Sequence, residues 1–270
     1  MPESTFNNYK MNKSLGFNWM TAGMSMSPAT ESIEVGGRNM CPFAGACEKS
    51  CLKFAGRNRN DQSRVARQRR TMFRLEELGG FIRLVSGEIE GLKRKAAKEG
   101  MKAAYRPNVL SDDSVFALKL AEANPGVQFY DYTKIPKPWK RVRANYHLTY
   151  SLDNHNHTEA LEAIENGINV AVAFDLGKDE PLPETWEIPG TGVALPVING
   201  DEHDLRFLDP VGVFVALKFK GSKAERVKAV GWLRLLSPNH HITGCIGGPN
   251  QPNQPQTLAG TGTPAGALAA

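Results

Sequence analysis

For its length the sequence is poor in cysteine, with four in 270 residues. That is too few for the disulfide framework of a small secreted domain, and three of the four fall within eleven residues. No apolar run approaches the roughly 18 residues that a membrane helix needs. The opening stretch, Met1-Pro-Glu-Ser-Thr-Phe-Asn-Asn-Tyr-Lys10, lacks the charged-then-apolar layout of a secretory leader. Internal repeats are missing too, which argues against a solenoid or propeller. Together these absences predict a protein of a reducing cytoplasm with no membrane partner. Acid is scarce in one place: between Lys53 and Arg74 the only carboxylate is Asp61.

The residues that are present suit one globular unit. A 41% hydrophobic and 23% charged composition is ordinary for a folded chain, and 270 residues can bury one substantial core. Residues 1–30 are polar and weakly periodic, with Phe17-Asn-Trp-Met20 and Ser32-Ile-Glu-Val35 as short strand candidates. From residue 61 to 99 apolar residues recur at helical spacing. Gly79-Gly80 is the expected break into two helices, and Gly100 the stop.

After Gly100, strand and helix alternate. Strands are expected around residues 102–110, 127–132, 145–151, 168–174, 192–198 and 213–219, with helices after Ser111-Asp-Asp-Ser114 and over 158–166. That rhythm predicts parallel β/α units. Six good strands plus one or two early ones suit a full or partial (β/α) barrel of about six to eight strands over residues 31–246, with an open doubly wound sheet as the second choice. Residues 247–270 carry no charge and little to bury, and read as a disordered Pro/Gly/Ala-rich tail.

The chemistry centres on Cys41-Pro-Phe-Ala-Gly-Ala-Cys47-Glu-Lys-Ser-Cys51. Soft thiolates clustered in a short loop suit a four-iron, four-sulfur cluster, with zinc as the alternative metal and unmetalled thiols as the plain reading. Gly45 lets such a loop wrap closely. Three thiolates leave one iron of a four-iron cluster open. His203, His240, His241 and Cys245 offer further zinc ligands in a minority reading.

Parallel β/α folds place their sites at the carboxyl ends of the strands. Polar residues gather there: Asn108, Ser111 and Asp112 after the first regular strand, Asp131 and Lys134 at the second, Thr149 and Ser151 at the third, and Asp201 at the fifth. Asp112, Asp131 and Lys134 are the catalytic candidates; Asn108, Ser111, Thr149, Ser151 and Asp201 are the candidates for binding a cofactor. Several of them also make good helix caps and turns. The basic segment Arg57–Arg74, with Arg64, Arg67 and Arg70 on it, predicts contact with a nucleotide or nucleic acid, against the plainer reading of a solvated helix face. His155-Asn-His157 resembles the paired histidines of replication initiators, but it precedes a helix where a strand is needed.

Assembled, the segments Cys41-Pro…Cys47…Cys51, Arg106-Pro-Asn-Val-Leu-Ser-Asp112, Tyr130-Asp-Tyr-Thr-Lys134, Asn145-Tyr-His-Leu-Thr-Tyr-Ser151 and Val197-Ile-Asn-Gly-Asp201…Asp204-Leu-Arg-Phe207 resemble the tailed-phage gene product 88 family. That resemblance implies a bacteriophage origin and no stated activity. A looser resemblance is to radical S-adenosylmethionine enzymes and three-cysteine phage proteins built like them. It implies a partial β/α (TIM-like) barrel, a 4Fe-4S cluster on Cys41, Cys47 and Cys51, S-adenosylmethionine as a cofactor, and modification of a nucleotide or nucleic acid. This chain departs from that pattern in its C-x5-C-x3-C spacing, in Ser50 before the last cysteine, and in having no Gly-Gly-Glu run after the second strand. The competing expectations are a zinc-stabilised nucleic-acid-binding protein without catalysis and a barrel-type base-exchange enzyme.

Overall fold

A computed structural model describes residues 13–177, 179–219 and 229. Its frame is one sheet in which β1 (Trp19–Gly23), β2 (Lys102–Arg106), β3 (Gln128–Thr133), β4 (Tyr146–Ser151) and β5 (Val170–Phe174) lie side by side in chain order, all parallel. Beyond β5 the order becomes β8 (Phe214–Lys218), β7 (Ala194–Asn199) and β6 (Thr185–Glu187). Only β6 runs antiparallel, as the outer arm of a hairpin with β7. Among the described residues the chain is thus mixed α/β with eight strands, mostly parallel, as the strand–helix rhythm predicts.

The full barrel is not formed. Closure requires the last strand in space to bond the first. Here β6 pairs with β7, β1 with β2, and the described sheet ends at both. Nor do the first five strands follow the doubly wound alternative, because their neighbours never reverse order. Among the early strand candidates, Trp19–Gly23 is real and lies inside the stretch that composition marks as poorly structured. Ile33–Val35, in contrast, is a single 3-10 turn. The helical region breaks at Glu77, two residues before the glycine pair, giving α1 (Asp61–Glu76) and α2 (Leu78–Lys98). The tail 247–270 and the residues His240, His241 and Cys245 lie outside the described residues.

Side chains alternate across a strand. Phe129 and Asp131 of β3 and Tyr146 and Leu148 of β4 therefore face one way, and Tyr130, Tyr132, His147 and Thr149 the other. The first face takes the helices. α2 lays Phe81, Val85, Ile89 and Leu92, a stripe at helical spacing, onto Tyr105 and Phe129. α3 (Ser114–Ala123) adds Phe116, Ala117 and Leu120 to the same core. α4 (His157–Glu165) packs Ala160 and Ala163 against Tyr150, Val170 and Val172 further along the same face. β5 is buried at every position, as its unbroken apolar run requires.

The second face is covered by the connection from β7 to β8. Its Phe207 ring stands 4.8 Å from Trp19 and 5.7 Å from Tyr130. Asp204 receives Arg106 Nη1 at 2.8 Å and the Tyr132 hydroxyl at 3.3 Å. Arg206 is fully buried, donating to the His203 carbonyl and lying 3.3 Å from Asp209.

α1 carries the basic segment expected to contact a nucleotide or nucleic acid, and four of its arginines have partners within the protein. Arg67 is buried and forks onto both oxygens of Glu31, at 2.7 and 2.8 Å, while its Nη1 reaches the Asn58 carbonyl. Arg74 is buried against both oxygens of Asp113. Arg64 pairs with Glu34 and Asp61, and Arg70 donates to the Ser25 carbonyl. Glu31, Glu34 and Asp113 reach this helix from other parts of the chain, so Arg67 and Arg74 face inward, while Arg64 and Arg70 are half-exposed and Arg69 is exposed. Arg67→Ala strands a buried carboxylate and is expected to cost about 3–5 kcal/mol. Arg69→Ala, at an exposed position, should stay within about 0.5 kcal/mol. Urea denaturation of the two variants checks this, and equal losses would return Arg67 to the solvent.

Candidate functional site

Leaving β1, the chain runs across the carboxyl ends of the strands before it enters α1. Backbone bonds set its course. The Met24 amide donates to the Arg106 carbonyl at 2.9 Å, and the Val109 amide to Met24 at 3.0 Å. Met40 then bonds Ala29, and its own carbonyl accepts from the Asp112 amide, both at 2.9 Å. Cys41 follows Met40 directly, and its thiol points to the Leu110 carbonyl at 3.6 Å. Cys47 lies on the 3-10 turn Gly45–Ser50, and Cys51 closes that turn.

Gly45 explains how the loop sits so low. It has φ +55°, and a Cβ there would lie 2.6 Å from Asp153 Oδ2. Any side chain at this position would push the loop off the rim. The three thiols bear on one another's charge: Cys41 senses Cys47 and Cys51, and Cys51 senses Cys47. Cys47 also senses Lys134, Asp153 and Asp112. Burial pushes Cys41 up to about 12 and Cys51 to about 11, and raises Cys47 as well. Without a cation beside them all three are thiols, not thiolates.

Among the described residues, no three His, Cys, Asp or Glu side chains are gathered tightly enough to hold a metal as they stand. The donor set still fits one in chemistry: three soft ligands, half-buried, neighbours in space, on a loop of turns. A metal would reverse the direction of their ionisation, since binding drives thiols to thiolates.

Beneath the loop two polar groups organise the rim. Asp112 accepts the Thr133 hydroxyl at 2.8 Å and the Lys134 amide at 2.9 Å, and burial pushes its carboxyl up to about 6. Lys134 turns its ammonium to Asp153 Oδ2 at 2.5 Å, with both side chains buried. The partner of Lys134 is therefore Asp153, at the end of the next strand. The strand-end rule that selects Lys134 also selects Asp153.

The other predicted residues are more dispersed. Asn108, Ser111 and Asp131 form a buried knot. Asn108 donates its amide and Nδ2 to the two oxygens of Asp131, at 2.9 and 3.0 Å, while its Oδ1 accepts from Ser111 and from the Asp113 amide. The Tyr146 hydroxyl adds a third donor to Asp131 at 3.0 Å. Thr149 and Ser151 face the opposite side of the sheet, where the Thr149 hydroxyl finds no hydrogen-bond partner among the described residues. Asp201 bonds the Lys218 amide from the β7–β8 connection. His155 and His157 sit where β4 gives way to α4, off any strand. Tyr146, which encloses Asp131, carries no sequence signal beyond its place at the start of a strand.

Fold and site define a mixed α/β protein with a three-cysteine loop seated on the carboxyl rim of a parallel sheet. The chain belongs to the Gene product 88 family, whose family model matches residues 3–231. No curated protein and no solved structure matches it. Among the described residues no helix is long and apolar enough to cross a membrane.

Asp131 yields a pH prediction. Burial raises its carboxyl to about 7, against the opposing pull of Arg106 and its three donors. A folded value above the unfolded one of about 3.9 means that the folded protein keeps the proton longer. The associated stability is full below about pH 4 and is lost as pH rises through about 7, on the order of 4 kcal/mol at most. Asp112 shifts the same way and adds to the trend. Asp131→Asn is expected to flatten, without abolishing, the fall in urea midpoint between about pH 5 and about pH 8. An unchanged slope in the variant would refute the assignment.

Proposed function

We propose that the protein is a metalloenzyme in which Cys41, Cys47 and Cys51 hold a thiolate-ligated centre, a 4Fe-4S cluster in preference to zinc, and which acts on a nucleotide or nucleic acid. The observation that carries the reading is the seating of Cys47 beside the buried Lys134–Asp153 pair and Asp112, with Cys41 beside Asp112 and Cys51 beside Cys47, at the strand ends where β/α folds do their chemistry. A cluster on three thiolates supplies electron transfer at an iron with an open position.

The chain's own residues supply the rest. Lys134 offers a buried ammonium to an anionic group of the substrate, in exchange for Asp153. Asp112, held by Thr133 and the Lys134 amide, fixes the depth of the loop and presents a carboxylate beside it. Asp131, enclosed by Asn108 and Tyr146, keeps the β2 and β3 ends in register. The proposal stops short of S-adenosylmethionine, because the cysteine spacing, Ser50 and the missing Gly-Gly-Glu run set this loop apart from the radical enzymes. A zinc staple without catalysis is the second reading, favoured by the short 3-10 turns, which suit a closed structural site as well as an open one.

Anaerobic purification with iron, zinc and acid-labile sulfide analysis separates the two. Iron with matching sulfide and a visible absorption band is the expected result, and Cys47→Ala should lose both. Zinc without sulfide would move the assignment to the staple, and metal-free protein would end both readings.

A further inference from the structure

Arg67 and Arg74 of α1 are turned inward, yet cations remain in solvent on the segment before it. From Lys49 to Asn60 the chain carries Lys49, Lys53, Arg57 and Arg59 with no acid among them. Lys49, Arg57 and Arg59 are exposed and Lys53 half-exposed. Large apolar side chains are exposed on this same loop: Phe43 at 47% and Phe54 at 46%. Lys53 Nζ stands 5.0 Å from the Phe54 ring centroid. Phe43 is two residues from Cys41 and Phe54 three from Cys51, and those two thiols bear on each other's charge, so both exposed rings are carried by one short loop.

Three large apolar side chains exposed within twelve residues, Phe43, Leu52 and Phe54, beside exposed cations are more than the single scattered apolar residue of an ordinary surface. Three ligand classes are imaginable, and the chemistry selects among them. A protein partner fits less well: phenylalanine and arginine suit an interface centre, but the two lysines and the absence of acid do not. A duplex fits poorly too, because the segment is made of 3-10 turns of three to six residues, with no helix or ribbon to enter a groove. Interleaved rings and cations are what a single strand requires: rings for its unstacked bases, cations for its phosphates.

We infer that the outer face of the cysteine loop is a binding platform for single-stranded nucleic acid, with Phe43 and Phe54 stacking on bases and Lys49, Lys53, Arg57 and Arg59 meeting phosphates. The inference deepens the proposed function, on which it rests for its link to catalysis, by delivering a single strand to the rim where the thiols lie. The binding itself needs no metal.

The test is fluorescence anisotropy of labelled oligodeoxynucleotide, oligoribonucleotide and duplex of equal length with the full chain, with metal content measured on the same samples. The expected result is tighter binding of single strands than of duplex. Affinity should fall with salt, and the slope should shrink by about 0.7 for each cation removed. The double variant Phe43→Ala/Phe54→Ala should weaken binding by about tenfold or more. Arg57→Gln/Arg59→Gln should weaken it and flatten the salt slope, with metal content unchanged in both. All four positions are solvent-exposed, and an unchanged urea midpoint verifies that each variant is folded. The DNA and RNA arms decide which polymer is preferred. Equal affinity for duplex, or full affinity in either double variant, overturns the platform. Unaltered protein that carries metal but binds no single strand removes only this inference, while unaltered protein that binds a single strand without metal removes only the metal centre.

Discussion

Asp112 joins two pieces of chain that would otherwise have no reason to meet. Its amide holds the Met40 carbonyl, one residue before Cys41, and its carboxylate holds the Thr133 hydroxyl and the Lys134 amide at the end of β3. One residue thus ties the cysteine loop to the ends of two strands. Because these groups are buried, each bond is made in a medium where leaving it unmade is costly. The position of the thiols, the orientation of Lys134 and the depth of the Gly45 turn all follow from that junction.

The same economy governs the arginines. A helix with five arginines between Arg64 and Arg74 reads in sequence as a surface for phosphate. In the fold, Glu31, Glu34 and Asp113 come to it from the loop before it and the rim beyond it. Arg67 and Arg74 are forked onto carboxylates in burial, where a guanidinium without a partner would not be tolerated. The helix is a strut that holds the loop against the sheet. The turns upstream add Lys49, Lys53, Arg57 and Arg59, with no acid in the sequence between Lys49 and Asn60.

On the face of the sheet away from the helices, another buried charge network does for the interior what Asp112 does for the rim. Arg106, Asp204 and Tyr132 connect the end of β2 to the β7–β8 connection, with Arg106 over the Tyr132 ring at 4.8 Å. That connection fills the face which, in a closed barrel, side chains from many strands would fill. An antiparallel hairpin at one edge and a chain segment laid across the inner face together explain an open sheet with a barrel-like strand order.

Much was legible from residue pattern. Runs such as Ile168–Phe174 and the stripe from Phe81 to Leu92 announce their elements because burial on two faces or one imposes a period on the chain. The cysteine cluster announces soft-ligand chemistry, and the strand-end rule locates Asp112, Lys134 and Asp153. β1 was faint because Ala22 and Gly23 carry little strand preference, and pairing with β2 is what makes it a strand. β6 was missed because three residues leave no period to read.

By itself, then, the sequence determined the alternation of strands and helices, the burial of their apolar faces, and the presence of three thiols on one short loop, since all of these depend on neighbours along the chain. The tertiary structure alone decided that the sheet stays open, that Lys134 answers Asp153, and that Arg67 and Arg74 of α1 turn inward. Those outcomes depend on charges and edges brought together from distant positions, and a linear pattern holds no record of which distant group will arrive.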